Sequence, residues 1–460
     1  MNEEPWFTWK DQLTQLKLRG SIGTAGGRPN FEAQYETFNI GAGGLVSADA
    51  RGNRDLKPQT TTETEWGVDM ELWSRYGITV TYARDITKDQ IIEVPPPTSS
   101  GFQTRWQNAG TLDGKTWEVA LNLPVISRRN LNWSARVSWD QNRTYITALD
   151  VPPLFNNVDN ARFRYAVGER MGNLYGKQFV TSCGMIDAAF RAQCGPGKAF
   201  QQNDEGYVVW VGDGNTWREG ITKNLWQAQL PGCVNASGTK INAAGAVECR
   251  SRGGTVNGPW GANVTHWGMP IVLRDSTAVP IDAPLGNTLP DYRISFSQNV
   301  AWKRLSFYAL VDAAVGSEVY NQELHWSLGD FMVKEEDQLG KTVETSKPIG
   351  YYWRASASDA AAGVGGFYDI LGSNNRTVES GTYTKLREMS VQYQIGPVRG
   401  VGDWSVALVG RNLYTWDSYK GWDPEVGVGG GLANSGAISA VASHDYPQLR
   451  TFTLSLQTRF

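Results

Sequence analysis

Apolar and polar residues alternate with a period of two along about twelve segments, and this pattern sets the strongest limit on the fold. In the segment 65–72, the even-numbered residues are Trp, Val, Met and Leu, and the odd-numbered residues are Glu, Gly, Asp and Glu. Successive side chains of a β-strand point to opposite faces, so each segment predicts a strand with one apolar and one polar face. We predict an all-β, antiparallel fold whose strands begin near residues 16, 66, 78, 105, 131, 163, 174, 292, 305, 389, 404 and 452.

The lengths of the predicted connections separate into two groups. Connections at 74–76, 125–130, about 169–173, 303–304 and 397–402 are short, and those at 24–61, 89–103, 143–160, 183–290, 315–381 and 415–449 are longer. The two groups alternate along the chain, so all short connections fall at one end of the strands. Short periplasmic turns and long extracellular loops are typical of transmembrane β-barrels, whereas a soluble sandwich has no reason to sort its loops. This scheme depends on a weak strand near 174–182.

Aromatic residues near the predicted strand ends also favour a barrel. Interfacial girdles place Trp and Tyr at both membrane surfaces, although Trp is frequent throughout this chain, with 19 copies. The predicted girdle residues are Trp66, Trp73, Trp133, Trp139, Trp302, Trp404, Tyr414 and Trp416. The net charge of −3 and the 19% content of charged residues argue against a nucleic-acid-binding protein.

The four cysteines all lie in the 183–290 connection, which the scheme places outside the cell. None forms a CxxC pair, and His266 is the one histidine nearby, so the pattern does not favour a zinc site. Local disulfides Cys183–Cys194 and Cys233–Cys249 are the simplest of the three possible connectivities. Oxidised pairs fit an exported protein, and four reduced thiols are the alternative.

No catalytic or cofactor-binding constellation stands out in the sequence. His266, His325 and His444 fall in predicted outer loops without a nucleophile pattern, and we interpret them as polar loop residues. The Gly-rich stretches lack the strand and helix that flank a phosphate-binding loop. We therefore predict neither enzymatic activity nor a cofactor or metal. The triplet 423–425, Asp-Pro-Glu, is interpreted as a turn at the start of a loop.

Several segments resemble the C-terminal part of the SusC/RagA family of TonB-dependent outer-membrane transporters. The matching segments are LKLRGSIGTAG (16–26), GNRDLKPQTTTETEWGVDMEL (52–72), WQNAGTLDGKTWEVALNLPVI (106–126), LPDYRISFSQNVAWKRLSFYALVDAAVGSEVYN (289–321), YTKLREMSVQYQI (383–395), VGRNLYTWDSYKGWDPEV (409–426) and YPQLRTFTLSLQTRF (446–460). The resemblance covers most of the chain apart from the cysteine-bearing loop.

The resemblance implies that residues 1–460 are part of a plugged barrel of about 22 strands in the outer membrane of a Gram-negative bacterium. It also implies a SusD-like surface lipoprotein as a partner, and energy from a TonB–ExbB–ExbD system. The start MNEEPWFTWK has no signal-peptide pattern, and no TonB box or plug is recognisable. We expect a truncated gene, a split gene or a wrongly assigned start. The expected cargo is a bulky nutrient, either a glycan or a peptide.

The last strand carries Phe452, Leu454, Leu456 and the terminal Phe460 on one face. A terminal aromatic residue on an alternating strand resembles the signal that the barrel assembly machinery binds. We expect deletion of Phe460 from the full-length protein to reduce outer-membrane insertion. The alternatives to the transporter are a complete small barrel acting as a passive porin, and a soluble β-rich binding protein.

Overall fold

The structure is a computed structural model, which describes residues 8–9, 11–158, 160–212, 216–219, 233–235, 254–258, 261–262, 270–277, 279–330, 332–342, 374–398, 402–425, 441–443 and 446–459. Its main feature is one large antiparallel sheet of ten long strands in chain order. These strands are β1 (Leu13–Gly27), β2 (Gln59–Leu72), β3 (Tyr76–Val94), β4 (Thr104–Arg128), β5 (Leu131–Leu149), β6 (Tyr292–Trp302), β7 (Leu305–Val315), β8 (Tyr383–Val398), β9 (Gly402–Asp417) and β10 (Thr451–Arg459). The predicted all-β, antiparallel fold is confirmed.

The pairing register gives the sheet one apolar and one polar face. One row of paired residues, taken across β1 to β9, is apolar throughout: Leu16, Met70, Ile78, Leu121, Val137, Phe296, Val311, Leu386 and Tyr414. The neighbouring row is displaced by one residue, and it contains Lys17, Asp69, Thr79, Ala120, Ser138, Ser295, Asp312, Lys385 and Thr415. We call the first side the outer face and the second side the inner face. Because side chains alternate with a period of two, the register keeps the two faces distinct.

The connections fall into the two predicted length classes. Short turns follow β2, β4, β6 and β8, and long connections follow the other strands. Most strands exceed the 9–11 residues that a tilted strand needs to cross a bilayer, and the tight short turns place the excess length at the opposite end, which carries the long connections and is called the long-loop end. Within the described residues, β1 and β10 are each paired on one side only, so these ten strands do not close by themselves.

Two predicted membrane strands are wrong. The segments near residues 163–167 and 174–182 contribute instead to a small sheet of four strands, ordered Asp282–Asn287, Asn173–Lys177, Ala161–Tyr165 and Leu154–Val158. Phe163 and Leu174 are fully buried in this sheet, whereas a membrane strand would expose its apolar side chains to lipid. The two strands leave the scheme together, so the alternation of short and long connections is preserved.

The remaining elements are short and belong to the connections. The further strands are Phe38–Ile40, Val46–Ala48, Ala50–Arg51, Phe200–Gln202, Val208–Trp210, Cys233–Asn235, Gly254–Gly258, Gly261–Ala262, Glu318–Asn321, Val378–Ser380 and Val441–Ala442. Helical segments are Phe31–Gln34, Ala42–Gly44, Thr98–Ser100, Cys183–Met185, Arg191–Gln193, Trp217–Glu219, Gln322–Gly329 and Lys334–Glu336. Among the described residues, none of the helices has the length and apolar character that crossing a bilayer requires.

Candidate functional site

The inner face of the sheet and the loops at its long-loop end form the candidate site. Polar side chains concentrate there. On β1, Arg19 donates hydrogen bonds to Asp69 at 3.0 Å and to Glu65 at 3.1 Å, both on β2. These side chains are about one-third exposed, so the ion pairs add little stability and mainly keep the inner face polar.

A shallow depression lies on the inner face towards the short-turn end. Its lining includes Asn122, Arg136, Asn299 and Tyr308, which come from β4, β5, β6 and β7. The lining carries amide, guanidinium and hydroxyl groups, which can bind a polar solute by hydrogen bonds.

A cluster of ion pairs attaches the segment after β9 to the inner face. We call it the loop anchor; it consists of Asp312, Tyr383, Lys385, Arg387, Asp423 and Glu425. Lys385 on β8 donates to Asp423 at 2.7 and 2.9 Å and to Glu425 at 2.8 Å. Arg387 bridges β7 and the loop, because it donates to Asp312 at 3.0 Å and to Glu425 at 2.7 Å. The Asp-Pro-Glu triplet therefore anchors its loop as well as turning it.

The loop anchor is buried enough for its charges to depend on one another. The Lys385 side chain is 4% exposed, so its ammonium group loses nearly all contact with bulk water. Burial opposes ionisation of Glu425, but hydrogen bonds from Arg387 and Lys385 outweigh this effect and lower its pKa to about 2. Removing one partner would leave a buried charge uncompensated, which is costly.

His325 joins two outer connections. It lies on the helix Gln322–Gly329, where Nδ1 is 2.8 Å from the Tyr320 hydroxyl and Nε2 is 3.2 Å from Asn160 Nδ2. An amide nitrogen only donates, so Asn160 donates to Nε2. The prediction that His325 lies in an outer connection is confirmed. Its interpretation as an ordinary polar loop residue is wrong, because the side chain is 1% exposed and packs between the two connections.

The cysteine prediction is confirmed where the structure describes both partners. Cys183 and Cys194 form a disulfide. This bond borders a small core in which Val180, Ile186 and Phe200 are buried. Cys233 begins the short strand Cys233–Asn235, and Cys249 lies outside the described residues, so the Cys233–Cys249 pairing stays a prediction.

The apolar residues of the last strand lie on the outer face. Phe452, Leu454 and Leu456 are 67%, 75% and 61% exposed, in register with apolar residues of β9. Phe460, His266 and His444 lie outside the described residues, so the assembly role of Phe460 stays a prediction. No group of three or more His, Cys, Asp or Glu side chains within the described residues is arranged to hold a metal ion.

Sequence reasoning missed the loop anchor. Its members come from β7, β8 and the loop after β9, and the sequence does not state which of these come together. The one available signal was the basic pair Lys385 and Arg387 on a segment otherwise typical of a membrane strand, together with an acidic triplet downstream. The two basic residues and the downstream acidic residues predict a contact only after the strand register is known.

Comparison with known proteins finds relatives of one recognised class. Residues 7–225 match the family model described as TonB dependent receptor-like, beta-barrel. Across its whole length the chain is 23% identical to TonB-dependent receptor P26 and 22% identical to TonB-dependent receptor P3, both from Formosa agariphila. It spans 41% of the length of each of these relatives.

Solved structures show the same fold. The structure titled "Structure of the RagAB peptide transporter" matches with a TM-score of 0.60 at 18% identity, over 99% of this chain and 42% of that chain. The RagAB peptide importer in its "closed-closed" state matches with a TM-score of 0.59 at 19% identity, over 97% of this chain and 41% of that chain.

Proposed function

We propose that this chain forms the barrel portion of an energised nutrient importer. The proposal rests on the resemblance of the chain to TonB-dependent receptor β-barrels of the SusC/RagA type, which reside in the Gram-negative outer membrane. The observation that carries the proposal is the two-faced sheet. Its outer face is apolar where lipid contacts it, and its inner face is polar where a hydrated solute would pass. All backbone groups in the hydrocarbon layer must be hydrogen-bonded, and strand pairing achieves this.

The proposal requires more of the barrel than these ten strands. The described sheet has two unpaired edges, and the chain spans about two-fifths of the relatives and of the matched solved chains. These facts support membership of a larger barrel over a complete passive porin. The exposed apolar residues on the outer face argue against a soluble binding protein.

The proposed cargo is a peptide. The matched solved structures are those of the RagAB peptide importer, and the amide side chains that line the inner-face depression carry donors and acceptors for a peptide backbone. A glycan is the second candidate, because Trp422 and Tyr446 in the outer connections are 76% and 87% exposed and could stack on sugar rings.

The proposed partners follow from the same resemblance. A SusD-like lipoprotein would cover the long-loop end, and TonB–ExbB–ExbD would supply energy through a plug region. The barrel assembly machinery would insert the strands. The likeness of this chain to the RagAB structures supports the first of these partners.

Uptake in cells carrying the full-length protein tests the proposal. Labelled oligopeptides and labelled oligosaccharides of matched mass would be supplied to the wild type, to a deletion strain, and to the wild type lacking ExbB. We expect peptide uptake that requires both the gene and ExbB. Gene-dependent uptake in cells that lack ExbB would contradict the energised mechanism. Uptake of oligosaccharides but not of oligopeptides would show that the cargo is a glycan and not a peptide.

A pair of variants tests the candidate site. Arg136→Ala removes a guanidinium from the inner-face depression, and Arg129→Ala removes one from the turn between β4 and β5. We expect Arg136→Ala to raise the apparent KM for uptake several-fold while Arg129→Ala leaves it unchanged. Equal KM values for the two variants and the wild type would remove the depression from the solute path.

A further inference from the structure

Three cationic residues lie side by side on the outer face. The register pairs Arg84 of β3 directly with Lys115 of β4, and Lys115 directly with Arg143 of β5. Neighbouring strands are about 4.8 Å apart, so the three Cα atoms fall within about 10 Å. All three have the same parity as the apolar residues of their strands, so they point outwards. We call Arg84, Lys115 and Arg143 the basic row.

A row of aromatic residues lies next to the basic row on the outer face, on the side of the short-turn end. Two residues nearer the short-turn end, the register aligns Trp66, Tyr82 and Trp117 on β2, β3 and β4. The ring centroids of Tyr82 and Trp117 are 4.7 Å apart. The Trp66 ring lies over Gly20, where a Cβ atom would be 3.0 Å from the ring. Aromatic belts mark the level of the lipid headgroups.

The spacing of the aromatic residues is consistent with a membrane boundary. On β4, Trp117 is nine residues before Ile126, which pairs with Trp133 near the short-turn end. At about 3.4 Å per residue and a tilt of about 40°, this separation corresponds to roughly 23 Å along the membrane normal. The apolar band of such barrels is about 25 Å tall, so the basic row lies at the outer-leaflet headgroups.

The charges in the basic row are incompletely neutralised by the protein. Arg84 is paired bidentately with Asp113 at 2.8 and 2.9 Å, and Arg143 is 3.5 Å from Asp291. Arg170 also contacts Asp291, at 3.0 Å, so three arginines share the two carboxylates of Asp113 and Asp291. Lys115 is exposed and has no ion-pair partner among the described residues, and the Nε atom of Arg143 is buried there without a hydrogen-bond partner.

Such a row would be unfavourable without an external anion, because like charges directly opposite on neighbouring strands repel. Phosphate is the anion that the outer-leaflet headgroup layer supplies at this level. An arginine pair and a lysine suit a phosphate group, since guanidinium binds it bidentately and ammonium binds it as a point charge.

We propose that Arg84, Lys115 and Arg143 bind the phosphate of a phosphorylated glycolipid in the outer leaflet, with the Trp66, Tyr82 and Trp117 rings against its acyl-chain boundary. The lipid fixes this side of the barrel at the membrane surface. This site lies on the outer face, so it is separate from the solute path on the inner face.

Lipid retention on the purified full-length protein tests the proposal. Bisphosphorylated lipid A and chemically dephosphorylated lipid A would be added in detergent, and native mass spectrometry would report the bound fraction. The test variant is Lys115→Ser/Arg143→Ser. The control is Arg128→Ser/Arg129→Ser, which removes two cations at the short-turn end. Heat-modifiable migration in electrophoresis confirms that each variant is folded.

We expect the wild type and the control to retain the phosphorylated lipid and to release the dephosphorylated form. At about 1 kcal/mol per cation, the test variant should bind about thirtyfold more weakly. The charge-conserving Lys115→Arg/Arg143→Lys should retain binding, which keeps the proposal testable if the serine variant does not fold. Equal retention of both lipids, or an unaffected serine variant, would overturn the proposal. Displacement of the lipid by inorganic phosphate at the same concentration would assign the site to free phosphate instead.

Discussion

A step of one residue along a strand of this sheet moves a side chain from the outer face to the inner face. On β10, Leu454 faces outwards and is paired with Leu408, whereas Ser455 is paired with Ala407 on the inner face. The two residues are adjacent in sequence, but lipid surrounds the side chain on the outer face and water surrounds the side chain on the inner face. Substitutions at the two positions therefore test the two environments separately.

Substitution at these two positions measures the outer face directly. Leu454→Arg places a charge against hydrocarbon and should cost about 2–4 kcal/mol near mid-bilayer, whereas Ser455→Arg faces the wet interior and should cost far less. Denaturant unfolding of the reconstituted protein in lipid vesicles measures both. Similar costs for the two variants would contradict the assignment of the faces.

Protonation of Glu425 should release the loop anchor. The pKa of this carboxyl is about 2, against an ordinary value of 4.5, so its stabilisation is complete above 4.5 and is lost as the pH falls through 2. The stabilising free energy is smaller than the roughly 3 kcal/mol that this pKa difference corresponds to, because the carboxyl is partly exposed and solvent screens its charge. Tyr419 lies in the same connection as Glu425 and is 7% exposed, and it should become more reactive to hydroxyl radicals as the pH falls from 5 to 2.

Two variants separate this effect from general acid unfolding. Glu425→Gln cannot ionise, so it should show greater Tyr419 reactivity at pH 5 and little further change on acidification. Glu388→Gln removes a carboxylate that pairs with the exposed Arg411, and it should keep the acid response of the wild type. An unchanged acid response in Glu425→Gln would show that another group controls the loop.

At the scale of elements, the outer connections have packed structures of their own. The connection between β5 and β6 contains the four-stranded sheet and a separate core built around Val180, Phe200 and Ile271. The period of two predicted strands near 163 and 174 correctly as strands, but it could not distinguish a short soluble strand from a membrane strand. Strand length and burial on both faces distinguish the two kinds of strand. Burial depends on packing partners that are distant in the sequence.

Removal of the Cys183–Cys194 disulfide should loosen this core without affecting the barrel. A disulfide that closes a loop of this length contributes about 3 kcal/mol in the chain-entropy estimate. In Cys183→Ser/Cys194→Ser, hydrogen exchange should increase in peptides from 178–212 and stay unchanged in peptides from β4 and β5. Equal protection in the variant and the wild type would show that apolar packing alone maintains the core.

At the scale of the whole molecule, the sheet divides the protein into three environments. Lipid contacts the outer face, water contacts the inner face, and the long connections cover one end. The basic row and the loop anchor illustrate the division. Arginine and lysine side chains form the proposed lipid-facing site in the basic row, and they form an internal ion cluster in the loop anchor. Within the described residues, β1 and β10 each have one unpaired edge, and the larger barrel that we propose would pair its further strands there.

The sequence by itself determined the face on which most strand residues lie, the short-turn end and the resemblance to SusC/RagA barrels, and it favoured the Cys183–Cys194 pairing, which the structure contains. These features are local, because alternation, turn length and cysteine spacing are properties of neighbouring residues. Only the tertiary structure decided that Arg84, Lys115 and Arg143 share a row and that Lys385 meets Asp423. Those contacts depend on strand register across long connections, and a shift of one residue in register would separate every one of these groups.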